Sequence, residues 1–248
     1  MADAGPSREL WADLADQCRS AFGVELTPEQ LAQFATYLDL LGEWNRRFNL
    51  TAIEEPEAIL TKHFLDSLSC AVMVDFPGQT TLIDVGTGAG FPGLVLKIAY
   101  PHLRVTLLDS LDKRLRFLDR VIETLGLMGV ETVHARAEDL ARAGPASRRE
   151  RFDVVTARAV ARLRVLAEWT LPFARIGGCL VAMKGPSVEG EVAEAGPAVS
   201  KLGGGAVAVR ELLLPGTDIG RSLVRVEKAR STPRDLPRRS GTARKAPL

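Results

Sequence analysis

L-I-D-V-G-T-G-A-G-F-P-G, residues 82–93, sets four glycines into eight positions directly behind an apolar run. Glycine loses more backbone freedom on folding than any other residue, so such a cluster needs a left-handed turn or the close approach of a ligand. Thr81–Val85 before it has the length and apolar character of a strand, and Gly93–Ala99 after it suits a helix. Strand, bare turn and helix, in that order, govern the reading of the rest of the chain.

Outward from this turn, strands and helices alternate. Strands are expected at Arg104–Asp109, Glu131–His134, Phe152–Ala157 and Cys179–Met183. Helices are expected over Asp112–Leu125, Glu138–Ala141, Leu163–Phe173 and Glu189–Lys201. Near-continuous apolar strands separated by helices imply a parallel sheet covered on both faces. Two last strands, Ala206–Leu214 and Arg221–Lys228, flank the turn-rich P-G-T-D-I-G and form a candidate antiparallel pair at the sheet edge. Residues 143–150, A-G-P-A-S-R-R-E, read as a surface loop.

Upstream, residues 1–75 read as a helical N-terminal extension packed on a sheet domain of residues 76–228. Thr27-Pro28-Glu29-Gln30 is a helix-start signature, and Leu31, Phe34, Tyr37, Leu38, Leu41 and Trp44 follow at helical spacing. A shorter helix through Leu10, Trp11, Leu14 and Cys18 precedes it. Periodicity alone explains these aromatics as core residues.

The chain has 248 residues, 46% hydrophobic and 25% charged, enough to bury one α/β domain with an appendage. The N-terminus has no basic segment followed by an apolar one, and no apolar run reaches the roughly 18 residues of a membrane span. Cys18, Cys70 and Cys179, like His63, His102 and His134, are scattered and lack metal-ligand spacing. A cytoplasmic monomer without metal or membrane partner is expected. Net charge is +1 but uneven: residues 1–60 carry four Arg and no Lys against eleven Asp and Glu. Residues 229–248 carry six basic residues against Asp235 alone. This proline-containing basic tail is either a solvated end or a contact for a polyanion.

In an open α/β sheet, ligands sit beyond the carboxyl ends of the strands, where the glycines are. A dinucleotide fingerprint counted from Gly86 fails at Phe91, and it fits only when shifted to Gly88, Gly90 and Gly93. No Gly-Lys-Ser/Thr follows, so a P-loop also fails. Asp84-x-Gly86-x-Gly88-x-Gly90 matches better the first motif of S-adenosylmethionine-dependent methyltransferases. Asp109, ending the second strand, is placed to accept both ribose hydroxyls, and Ala137 and Glu138 follow the third strand where an adenine edge would be met. The expected fold is therefore α/β, a Rossmann-like class I methyltransferase. Its seven-stranded sheet would be mostly parallel, with an antiparallel edge hairpin and the helical extension.

After the fourth strand comes V-T-A-R-A-V, not the Asn/Asp-Pro-Pro-aromatic sequence that grips exocyclic amines. No Pro-Cys nucleophile is present, and Cys179 reads as a small core residue. Guanine N7 exposes its lone pair and loses no proton, so a site with positioning groups and no base permits it without selecting it.

L-L-G-E-W-N-R-R-F-N-L-T, K-H-F-L-D-S, the glycine turn, L-L-D-S-L-D-K-R and T-A-R-A occur in this order. Together they resemble the glucose-inhibited division protein B family, the 16S ribosomal RNA guanine-N7 methyltransferases, closely over residues 30–185. The resemblance implies direct methylation of guanine 527, in the 530 loop of small-subunit rRNA, with S-adenosylmethionine as donor and the 30S subunit as partner. It implies that Gly86 and Phe91 line the cofactor turn and that Asp109 holds the ribose. Ala137 and Glu138 would border the adenine, and Arg158 would face cofactor and acceptor unless it is a structural ion-pair partner. His63 and Asp66 are pocket candidates or local packing residues. Lys184 is expected to contact RNA phosphate or to be solvated. Arg238, Arg239, Arg244 and Lys245 of the tail are expected on rRNA phosphates, adding salt-dependent affinity without sequence choice. Two other readings stay open: an NAD-dependent oxidoreductase using the shifted glycines, and a non-catalytic RNA-binding module.

Overall fold

Val, Ile and Leu crowd the central strands so densely that both faces of the sheet must be covered. The computed structural model describes residues 6–142, 144–158 and 161–248. Ala143 of the expected surface loop, Ala159 and Val160 of V-T-A-R-A-V, and the first five residues lie outside the described residues.

The strands are β1 Thr81–Val85, β2 Arg104–Asp109, β3 Val130–His134, β4 Phe152–Arg158, β5 Ala174–Lys184, β6 Gly204–Leu213 and β7 Gly220–Lys228. They form one sheet in the order β3-β2-β1-β4-β5-β7-β6. β1 to β5 run parallel, while β7 pairs antiparallel with both β5 and β6. The order reverses between β1 and β4, so the glycine turn after β1 opens onto the topological switch point.

Among the helices, α1 is Arg8–Phe22, α2 Pro28–Phe48, α3 Pro56–Ile59 and α4 Asp66–Leu68, with a π-helical stretch, Leu60–Leu65, between the last two. Further on, α5 is Gly93–Ala99, α6 Asp112–Leu125, α7 Ala137–Ala141, α8 Leu163–Thr170, α9 Glu189–Lys201 and α10 Thr242–Lys245. The capping signature works as read. Thr27 Oγ1 accepts from the Gln30 amide, and the Gln30 side chain accepts from the Thr27 amide.

Two cores result, one on each side of the sheet. The first joins α1, α2, α5 and α6, and it absorbs the expected aromatics: Phe34 stacks on Phe64 at 5.0 Å, and Tyr37 on Phe91 at 5.6 Å. Phe91 belongs to the glycine stretch, so the N-terminal extension is the packing floor of that turn. The second core joins α8 and α9 with Leu236 and Ala243 from the tail.

That last contact corrects the solvated-tail reading. Lys228 is buried and donates to the Leu171 carbonyl and to Thr232 Oγ1. Arg149 donates to the Thr232, Pro233 and Leu236 carbonyls. Charge dominated the sequence pattern, yet the few apolar residues between the charges are what the core takes up. Arg149, from the loop read as mere surface, is the clamp.

Candidate active site

Four glycines serve two different ends. Gly88 has φ +61°, and a Cβ there would meet nothing closer than the Gly86 carbonyl at 4.0 Å, so its side of the turn is open for a ligand. Gly90 is packed instead: a Cβ would sit 2.9 Å from Leu118, and the Tyr37 hydroxyl donates to the adjacent Ala89 carbonyl. At Gly93 a Cβ would lie 2.7 Å from the Asp84 Cβ.

Asp84 is fully buried beneath the turn, not in the cleft. Its carboxylate accepts from Thr87 Oγ1 at 2.7 Å, the Gly93 amide at 3.0 Å and Thr156 Oγ1 at 3.0 Å. Burial pushes its pKa up, and these three donors oppose that shift. Asp84 and Gly90 therefore shape the turn rather than touch a cofactor, which corrects their expected binding role. The same contacts disfavour the oxidoreductase reading, because the Gly93 amide that a pyrophosphate would need is spent on Asp84.

Around the turn lies a trough of three neighbouring compartments that share lining residues. The first, about 200 Å³, is lined by Gly86, Asp109, Arg114, Ala137, Glu138, Trp169, Gly241 and Arg244, among others. The second, about 310 Å³, is lined by Leu50, Thr51, His63, Gly86, Gly88, Phe91, Arg114 and Arg158. The third, about 410 Å³, is lined by Lys62, His63, Asp66, Arg158, Met183, Lys184 and Arg221. Gly86 and Arg114 line both the first and the second; His63 and Arg158 line both the second and the third.

In the first compartment, Asp109 accepts from the Gly88 amide at 3.0 Å, the Leu111 amide at 2.9 Å and Arg114 at 3.2 Å. These bonds tie the tip of β2 to the glycine turn and fix the carboxylate at the cleft. Glu138 accepts from the Gly241 amide at 3.0 Å. Arg244 lies 5.0 Å over the Trp169 ring, a cation–π stack that brings the tail to the same wall. Arg114, Trp169 and Gly241 were not anticipated as lining residues. The nearest sequence signal was L-L-D-S-L-D-K-R, which contains Arg114.

The third compartment is held by a chain of side chains. Asp66, almost fully buried, receives Arg158 at 3.3 Å and Arg221 at 2.9 Å. Arg158 also donates to the Lys62 carbonyl, lies 5.0 Å over the Phe91 ring, and points a guanidinium nitrogen at His63 Nδ1, 3.1 Å away. It is an ion-pair partner, one of the two roles held as alternatives from the sequence, and it also lines two of the compartments. His63 Nδ1 also lies 3.1 Å from the Lys62 carbonyl, and Nε2 lies 2.8 Å from Thr51 Oγ1, so either neutral tautomer finds hydrogen-bond partners. Burial, then the Arg158 charge, push the His63 pKa down to about 4, which keeps the ring neutral. His63 falls in the π-helical stretch, a local irregularity often found at functional sites. Arg221 comes from β7, far along the chain, and no sequence feature pointed to it.

Several expected RNA contacts are otherwise employed. Lys184 lines the third compartment, but its ammonium is taken by the Ala161 carbonyl at 2.7 Å and Glu191 at 2.9 Å. Arg238 makes a forked pair with the buried Glu168, its shortest contact 2.6 Å, and anchors the tail to α8. Both are corrections: a cation with a buried or close carboxylate partner is not available to a phosphate. Arg239 and Lys245 are exposed. Among the described residues, no cluster could hold a metal ion and no helix is long and apolar enough to cross a membrane.

Residues 30–217 match the family described as GidB, rRNA small subunit methyltransferase G. The chain is 49% identical to the ribosomal RNA small subunit methyltransferase G of Lactobacillus johnsonii, over 92% of this chain and 95% of that one. It is 50% identical to the protein of the same name from Exiguobacterium sp., over 92% and 95%. Among solved structures it resembles a 16S rRNA (adenine(1408)-N(1))-methyltransferase from Catenulisporales acidiphilia, with TM-score 0.50 and 19% identity over 63% of this chain and 88% of that one. It also resembles a predicted O-methyltransferase from Agrobacterium tumefaciens, with TM-score 0.52 and 22% identity over 68% and 81%. At such identities the structural likeness concerns the fold alone.

Proposed function

The chain belongs to the GidB family of rRNA small subunit methyltransferases, and from that premise we propose that it methylates N7 of guanine 527 in 16S rRNA. S-adenosylmethionine is the cofactor, and when bound it supplies an electrophilic methyl group for direct transfer. The residues present suit it. Gly88 leaves the turn bare, Asp109 can take ribose hydroxyls, and Ala137 and Glu138 border the adenosine compartment. Gly86 and Phe91 line the amino-acid end.

The observation that carries the proposal is the third compartment, which shares His63 and Arg158 with the donor side and whose basic groups, His63 and Asp66, are already engaged by other side chains. Both ring nitrogens of His63 have hydrogen-bond partners, and Asp66 is held between two guanidinium groups. An acceptor that must lose a proton would find no base there, whereas guanine N7 needs none. Holding the base in line with the donor then supplies the rate advantage. Base selection would require an unstacked guanine, with Arg239 and Lys245 among the exposed cations that meet rRNA phosphates. We place the protein in the cytoplasm, acting as a monomer on the small subunit.

Mapping N7-methylguanine on 16S rRNA from cells with and without the gene tests this. Loss of the modification at guanine 527 alone is expected. Loss at another nucleotide, or none, rejects the assignment.

A further inference from the structure

The segment W-N-R-R-F-N-L-T, residues 44–51, carries much of the family resemblance, yet only Leu50 and Thr51 of it line the trough. The six residues before them form the last turn of α2 and its cap, Asn49. Helix α2 runs antiparallel to α6. Gln33 reaches the Leu125 carbonyl, Trp44 packs 5.8 Å from Phe117, and Lys113 donates to the Phe48 carbonyl at 3.1 Å. The end of α2 therefore meets the start of α6, where Arg114, next to Lys113, lines the first and second compartments. Both helix ends stand at the rim of the trough.

These ends expose an aromatic ring among cations. Phe48 is 36% exposed and Leu111 43%. The Phe48 ring lies 5.3 Å from Trp44, which packs in turn on buried Phe117, so the ring is braced against the core. Arg46, Arg47 and Lys113 are exposed beside it in sequence or through the Phe48 carbonyl. Other exposed arginines hold carboxylates: Arg19 on Asp16, Arg116 on Asp112 and Arg120 on Glu123. Among the described residues, Arg46, Arg47 and Lys113 have no carboxylate partner. Neither Glu43, one turn before Arg47, nor Glu54 and Glu55 downstream pair with them.

The size and charge of this surface select its partner. Two exposed apolar side chains are too little for a protein, which buries about 800 Å² on each side of a stable interface. A braced ring beside unpaired cations suits an unpaired nucleotide instead. The ring offers a face on which any base can stack, and the cations meet phosphates.

We propose that the end of α2 is an rRNA docking surface, on which Phe48 stacks an unpaired base flanking the target guanine while Arg46, Arg47 and Lys113 neutralise neighbouring phosphates. This rests on the reading that the substrate is rRNA with its target base in the trough. It gives R-R-F a chemical duty and sets a second anchor on the sheet face opposite the tail.

Binding of the full chain to 30S particles from cells lacking the gene, followed as salt is raised, tests the proposal. S-adenosylhomocysteine affinity by calorimetry checks that each variant is folded. Phe48→Ala should bind the particles about tenfold more weakly, as for losing one base stack, with S-adenosylhomocysteine affinity within about twofold of the parent. Phe48→Trp should keep parent affinity, whereas Phe48→Leu, apolar but without a π-face, should not. Replacing both Arg46→Gln and Arg47→Gln should reduce the slope of log affinity against log salt by about 1.4, at roughly 0.7 for each single-strand phosphate contact. Parent-like binding by Phe48→Ala, full rescue by Phe48→Leu or an unchanged salt slope overturns the proposal alone. So does an equal loss of particle and cofactor affinity, which would make Phe48 a packing residue. A parent chain that binds no 30S particle removes the rRNA reading and this proposal with it.

Discussion

At the proposed adenosine end of the trough, Asp109 ends one parallel strand and Glu138 lies in the first turn of the helix just past its neighbour, and the backbone amides of Gly88, Leu111 and Gly241 secure their carboxylates. At the proposed acceptor end, Asp66, His63, Arg158 and Arg221 come from a short helix, a π-helical stretch and two strands, and they hold one another through side chains. The first end is set by strand order and tolerates local change. The second is a closed network in which each member depends on the others, and its failures should be larger and less local.

The sharpest contrast is expected from Asp66→Ala. Removing one carboxylate strands two guanidinium groups in a mostly buried place, and breaking a buried pair in this way costs about 3–5 kcal/mol. Urea unfolding reads it out directly. A loss below about 1 kcal/mol would mean that the acceptor network relaxes freely and the contrast is false.

Acid provides the next test. His63 has its pKa lowered to about 4, against 6.5 in the unfolded chain, so between these values the unfolded state binds a proton that the folded state refuses. Its contribution is fully present above pH 6.5 and lost as pH falls toward 4, up to about 3 kcal/mol. His63→Gln should flatten that limb of the stability curve. An unchanged limb assigns the acid sensitivity to other groups.

At the adenosine end the expected effects are smaller. Asp109→Ala should weaken S-adenosylmethionine binding by about 1–3 kcal/mol, as for lost charge-assisted hydrogen bonds, and should lower the unfolding free energy less than Asp66→Ala, since it strands two amides and one half-exposed guanidinium group. Binding at parent strength would move the ribose partner elsewhere. Arg244→Ala should cost cofactor affinity about 0.5–1 kcal/mol, the size of an exposed cation–π contact. An effect confined to rRNA affinity would return Arg244 to the role that charge alone suggests.

The same contrast explains what could be read in the sequence. β1, β2, α5 and α6 were legible to the residue because apolar period and glycine punctuation are local signals, and Asp109 followed from the strand that carries it. The acceptor network was not legible, since Arg221 reaches Asp66 only after the antiparallel strands β6 and β7 fold back onto β5. Asp84 and Gly90 misled for the opposite reason. A motif registers which residues occur together, and only packing against Gly93 and Tyr37 distinguishes those that build the turn from those that face the cleft. The tail misled because its arginines are conspicuous, while Glu168, which neutralises Arg238, lies far away in sequence.

A crystal structure with S-adenosylhomocysteine is the most direct test of the shared trough. The ribose should lie on Asp109, the purine beside Ala137 and Glu138, and the sulfur should be directed toward the His63–Arg158 wall. Ligand density away from Gly88 and Asp109, or a sulfur turned from that wall, would contradict a donor and acceptor meeting there.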